Sequence, residues 1–142
     1  MNYTPQSTPP NSNDTRKKSV LIVGLEPSLI DFTDAKYAAF PGMTAAKVMA
    51  GLTADQANLN TLGYDAQLCL TDFGQTAEGV VSTQLKQKRF DCVLIGAGVR
   101  TIASNFILFE KLINVVHEYA PDAKLCFNTN PADTAEAVRR WL

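Results

Sequence analysis

Apolar residues fall in four short runs, separated by longer stretches in which they recur every three or four positions. The runs Val20 to Leu25, Ala66 to Thr71, Cys92 to Ile95 and Leu125 to Asn128 are bounded by turn residues and rich in Val, Ile, Leu, Phe and Cys. Each reads as a buried strand. Between and after them the spacing is helical. A first helix is predicted from Thr44, whose hydroxyl can cap while Met43 and Val48 form a hydrophobic staple, to Gly63, which suits a left-handed C-terminal position. A second runs from Thr76 to Arg89 and ends on Lys86, Lys88 and Arg89, cations that complement the exposed carbonyls of a helix C-terminus. A third spans Asn105 to Tyr119. At about 100° per residue, Phe106, Leu108, Phe109, Leu112, Ile113, Val115, Val116 and Tyr119 fill half its circumference. The last helix begins at Asp133, with Glu136 completing a capping box, and carries Ala137, Val138, Trp141 and Leu142 toward the body.

Strand and helix alternation forces crossover connections, which are right-handed and give a parallel sheet covered on both faces. The predicted fold is therefore α/β: a three-layer α/β/α sandwich on a four-stranded parallel sheet, with flavodoxin-like strand order 2-1-3-4. A length of 142 residues suits one domain. Residues 1–18, rich in Asn, Thr, Ser and Pro, read as a flexible tail, and residues 19–142 as the domain. The tail has no apolar core of a signal peptide, and no stretch reaches the roughly 18 apolar residues of a spanning helix. The expectation is a cytoplasmic protein with no membrane partner. A net charge of −1 supplies no long-range field to gather nucleic acid, so no nucleic-acid partner is expected.

Cys69, Cys92 and Cys126 each fall inside a strand-like run, without the clustering that a metal site or redox motif needs. They are expected to be small buried thiols, and no metal is expected. His117, the only histidine, projects beside Glu110 and Asn114 near the edge of the polar half of its helix. It reads as a surface or second-layer histidine and not as a catalytic base. No serine or cysteine sits in a nucleophile motif, and Asp72-Phe73-Gly74, a kinase triplet by letters, reads as a turn because the chain lacks the loops of that fold.

Ligands of open parallel sheets bind beyond the carboxyl ends of the strands, where crossover direction reverses; in this order that is between strands one and three. Two unusual loops meet there. The stretch Glu26 to Met43 is far longer than the usual two to six or so residues and carries Asp31, Asp34, Lys36 and Tyr37 among apolar anchors, with Asp31 and Asp34 as weak candidates for acid/base work. The other is Gly96-Ala97-Gly98-Val99-Arg100-Thr101. Its glycines permit positive φ and close backbone approach, and Arg100 offers a planar fork for carboxylate or phosphate. Gly96 and Gly98 also serve simply to turn the chain, and the third glycine of a dinucleotide fingerprint is missing. Asn128, Thr129 and Asn130 form a second ligand candidate at the same edge, with local backbone bonding as the competing role.

The wording of Phe40-Pro41-Gly42-Met43, Asp91 to Arg100, Leu108 to Asn114 and Asn128 to Asp133 resembles a family of small bacterial flavodoxin-like or Rossmann-like α/β proteins of unassigned function. That resemblance covers most of the chain after the tail and implies the fold, but no activity, cofactor or residue role. A response-regulator receiver has the same topology, yet here Gly24-Leu25-Glu26 and Gly96 stand where its acidic pair and phospho-acceptor would be. Two functional expectations follow. One is a domain that binds an anionic small molecule through Gly96, Gly98, Arg100, Asn128, Thr129 and Asn130. The other is a non-catalytic module of receiver-like topology for oligomerisation or protein interaction, with a homo-oligomer through Phe106, Ile107 and Phe109, since the four consecutive bulky residues Phe106 to Phe109 cannot all face one sheet.

Overall fold

The computed structural model describes residues 16–142, so the expected tail lies outside the described residues up to position 15. Four parallel strands, β1 (Ser19–Leu25), β2 (Asp65–Thr71), β3 (Cys92–Ile95) and β4 (Lys124–Phe127), pair in the order β2-β1-β3-β4. This is the predicted topology. Five helices accompany them: α1 (Ala45–Thr61), α2 (Ala77–Gln87), a single turn α3 (Ala97–Arg100), α4 (Phe106–Tyr119) and α5 (Thr134–Arg139).

The pleat sends alternate side chains of the central strands into two cores. Leu21, Val23, Val93 and Ile95 meet Val81 and Leu85 of α2 and Leu108, Leu112, Val115 and Val116 of α4. Val20, Ile22, Cys92 and Leu94 meet Leu59 of α1 and Ala137 and Val138 of α5. Each fully buried Val, Leu or Ile contributes about 1.5–3 kcal/mol relative to exposure. Continuous apolar runs read as strands because both faces of β1 and β3 are covered.

Local signals explain most helix ends. Thr44 caps α1 by accepting the Lys47 amide at 3.1 Å, and Gly63 closes it at φ +100°. Asp72, after β2, accepts the amides of Gly74 and Thr76 and leaves Gly74 at φ +122°, a turn as expected. The start of α5 differs from expectation. The Asp133 carboxylate does not cap α5; it turns back to the amides of Thr129 and Asn130. The capping box instead joins Asn130 and Asp133 around a 3-10 turn, Pro131–Asp133, three residues upstream of the predicted one.

All three cysteines are buried. Burial pushes the Cys69 thiol up to about 11. Cys92 and Cys126, on neighbouring strands and the same face of the sheet, face each other with Cα atoms 6.7 Å apart. Strand adjacency, invisible to cysteine spacing, brings them together. No described helix is long and apolar enough to cross a membrane.

Candidate functional site

The predicted edge is real, but its centre is filled. After β3 the chain does not loop around open space; Ala97–Arg100 winds into the single turn α3, and Val99 plugs into the core against β1. Gly96 has φ −66°, and positive φ among the described glycines occurs at Gly42, Gly63 and Gly74 instead. A methyl group at Gly96 would meet only the Val23 carbonyl at 3.6 Å, and at Gly98 nothing within 4 Å. Neither glycine is required by a left-handed backbone or a close approach, contrary to expectation.

What holds this turn is Asn128. Its side chain is buried at the tip of β4, where Oδ1 accepts the Ala97 amide at 2.9 Å and Nδ2 donates to the Thr134 hydroxyl at 2.9 Å. Thr134 in turn donates to Asp55 of α1 at 2.8 Å. One hydrogen-bonded chain therefore spans the sheet edge from α1 through α5 and β4 to α3. Burial raises the Asp55 carboxyl, the Thr134 hydroxyl draws it down, and the Asp133 charge raises it again, leaving it above its ordinary value. Asn105 completes the clamp from the other side by donating to the Gly98 carbonyl at 3.2 Å. Asp55, Thr134 and Asn105 were missed in the sequence because their roles depend on contacts between distant segments.

Arg100 lies against this clamp, with its guanidinium turned inward. Nη2 donates to the Asn128 carbonyl, and the guanidinium carbon stands 5.5 Å from the centre of the Phe127 ring. Phe127 meets Phe109 edge-on at 6.0 Å, so arginine and two aromatic rings form one packed unit. The remaining terminal nitrogen, Nη1, is buried with no hydrogen-bond partner among the described residues. Thr129 and Asn130 are exposed beside it, but both are occupied locally: the Thr129 amide and hydroxyl bond Asp133, and Asn130 accepts the Ala132 amide at 2.7 Å.

The long first loop is ordered by its own side chains. Glu26 accepts the Ser28 amide, Asp31 that of Thr33, and Asp34 that of Lys36, three short turns in succession. The Thr33 hydroxyl and amide hold the Asp31 carboxyl below its usual value despite some burial, so Asp31 is a carboxylate at neutral pH. Tyr37 is buried under the loop beside Phe32, and its hydroxyl is raised by burial and by Asp34. Lys36 reaches Ser104, three residues past the glycine loop, at 3.2 Å. Leu29, Asp31, Asp34, Lys36, Tyr37 and Phe73 line a shallow hollow of about 210 Å³.

On α4, Phe106 and Ile107 are 60% and 58% exposed, whereas Leu108 is buried and Phe109 is half-buried against Phe127. His117 is exposed in the last turn. No group of three or more His, Cys, Asp or Glu suited to a metal occurs among the described residues. No protein-family model matches the chain, and no curated protein shows significant similarity to it.

Proposed function

We propose that this domain binds a small anionic molecule at the C-terminal edge of its sheet, with Arg100 as the anion contact. The observation that carries the reading is the buried Arg100 Nη1, a charged donor with no acceptor among the described residues; such a group in a native structure calls for a water, an ion or a ligand. Gly96 and Gly98 supply backbone at the same turn, Asn128 fixes its position, and Thr129 and Asn130 form the exposed rim. Glu26 and Asp72 follow directly on β1 and β2 at this edge, which favours a monocarboxylate over a polyphosphate. Asp31 and Asp34 are assigned no catalytic step. The resemblance to small bacterial proteins of unassigned function agrees with this reading without adding a ligand. Cytoplasmic placement belongs to the proposal too.

The test is a thermal-shift screen with small organic acids. A ligand present at about 100 times its Kd adds about 2.7 kcal/mol of stability, and Arg100→Ala removes that gain while the protein still melts cooperatively. A screen in which no acid moves the wild-type melting temperature counts against the reading.

A second reading, self-association through α4, is favoured by the exposure of Phe106 and Ile107. Phe109, half-buried on Phe127, contributes less surface than expected. Light scattering at micromolar concentration should give more than one protomer per particle, reverting to one in Phe106→Ser/Ile107→Ser. A strict wild-type monomer removes this reading.

A further inference from the structure

At the opposite edge, where the strands begin, lies a cavity of about 490 Å³, within the range of about 300–1,000 Å³ typical of small-molecule sites. Four cations line it: Arg16 and Lys17, just ahead of β1, and Lys88 and Arg89, just after α2. Tyr64 and Asn60 form the wall contributed by the end of α1 and the turn that follows. These residues come from three separate segments, and the parallel sheet brings them together by aligning the starts of β1, β2 and β3.

Among the described residues two carboxylates answer the four cations. Asp65 pairs with Lys88, and Asp91 receives Arg16 at 3.0 Å with Arg89 at 3.8 Å. Counted over the described residues, the cavity keeps an excess of positive charge in a chain whose net charge is −1. Its cations are also prearranged. Asp91, buried behind them, is fixed by the Ser19 amide at 2.8 Å, and the Lys88 ammonium stands 5.5 Å from the centre of the Phe90 ring. Lys17 and Arg89 are both exposed, Arg89 holding Asp91 only at the 3.8 Å limit of an ion pair.

We infer that this cavity is a second binding site, distinct from the strand-tip edge, for a phosphorylated small molecule. Its phosphate oxygens would sit among Lys17, Lys88 and Arg89 and its organic part against the Tyr64 ring. Arginine and lysine donors are matched to phosphate, and a cavity of this size exceeds what a bare phosphate needs. The two edges of the sheet then select different charges: Glu26 and Asp72 follow the ends of β1 and β2, whereas the strand starts carry the cations.

Isothermal titration of the full chain with inorganic pyrophosphate tests this. The wild type binds, and Lys17→Ala/Arg89→Ala weakens binding by at least about tenfold, the loss expected when two charged phosphate contacts go. Lys47→Ala/Arg139→Ala, which removes the same charge elsewhere, leaves binding unchanged. Absence of wild-type binding at about 10 mM pyrophosphate, weaker than millimolar recognition, overturns the inference. So does equal weakening in both double variants, which would mark the effect as general charge attraction.

Discussion

Asn128→Ala lowers the stability of the domain by about 3 kcal/mol, a sum of lost hydrogen bonds and stranded buried partners. The asparagine side chain is only 6% exposed as a residue and serves two groups at once, the Ala97 amide and the Thr134 hydroxyl. Truncation leaves the amide at the start of α3 without an acceptor and opens space where a water must enter. Chemical denaturation at neutral pH checks the value. Asn128→Asp is a sharper probe, because it keeps an acceptor for Ala97 but sets a second carboxylate beside Asp55 in competition for one hydroxyl. Its penalty is largest at neutral pH and shrinks as acid neutralises the pair. A cost below about 0.5 kcal/mol for Asn128→Ala, the size of an ordinary surface change, would show that α3 does not depend on this clamp.

Asp91→Ala costs about 2–3 kcal/mol at neutral pH, the range for leaving a buried donor unsatisfied and losing charged hydrogen bonds. Asp91 is 8% exposed at the start of β3, where its carboxylate takes the Ser19 amide and Arg16 together. Burial alone would raise this carboxyl, but the Arg16 and Ser19 hydrogen bonds and the charges of Arg16 and Arg89 outweigh it and hold it below its ordinary value. A depressed folded pKa means that the stabilisation is complete above the unfolded value, near 3.9 or about 4, and is lost as pH falls through the folded value. The stability gap between wild type and Asp91→Asn is therefore expected to be widest at neutral pH and to close in strong acid. Melting curves at a series of pH values measure it, and a gap independent of pH would contradict the assigned ion pairing.

Both predictions concern contacts that join distant segments, and these are what the sequence conceals. Strands and their order were legible because Val20 to Leu25 and Cys92 to Ile95 are unbroken apolar runs, and because Thr44 and Gly63 bracket a helix by local chemistry. The turn α3 was not. Gly96-Ala97-Gly98 has poor intrinsic helix propensity, and the turn forms under the hold of Asn128, 31 residues away. Arg100 was legible as a residue of interest, but its inward pose depends on Phe127 and the Asn128 carbonyl. The misplaced capping box at α5 has a similar cause: Asp133 has two sets of amides within reach, and the upstream turn at Asn130 takes its carboxylate. The cationic cavity escaped notice because its lining is spread between positions 16 and 89, and only the strand register gathers it.

That register has a consequence in time. The central strand β1 is made first, yet Ser19 pairs with Asp65 and Val20 with Cys92, so both its neighbours arrive much later in synthesis. At about 5–20 residues per second, the ribosome takes several seconds to deliver β2 and longer to deliver β3. Throughout that interval Val20, Leu21, Ile22 and Val23, almost fully buried in the finished protein, have no native partner on either side. A strand buried on both faces is thus the one that waits longest, which makes the newborn chain, rather than the folded one, the stage at which sticking to other chains or to a chaperone is decided.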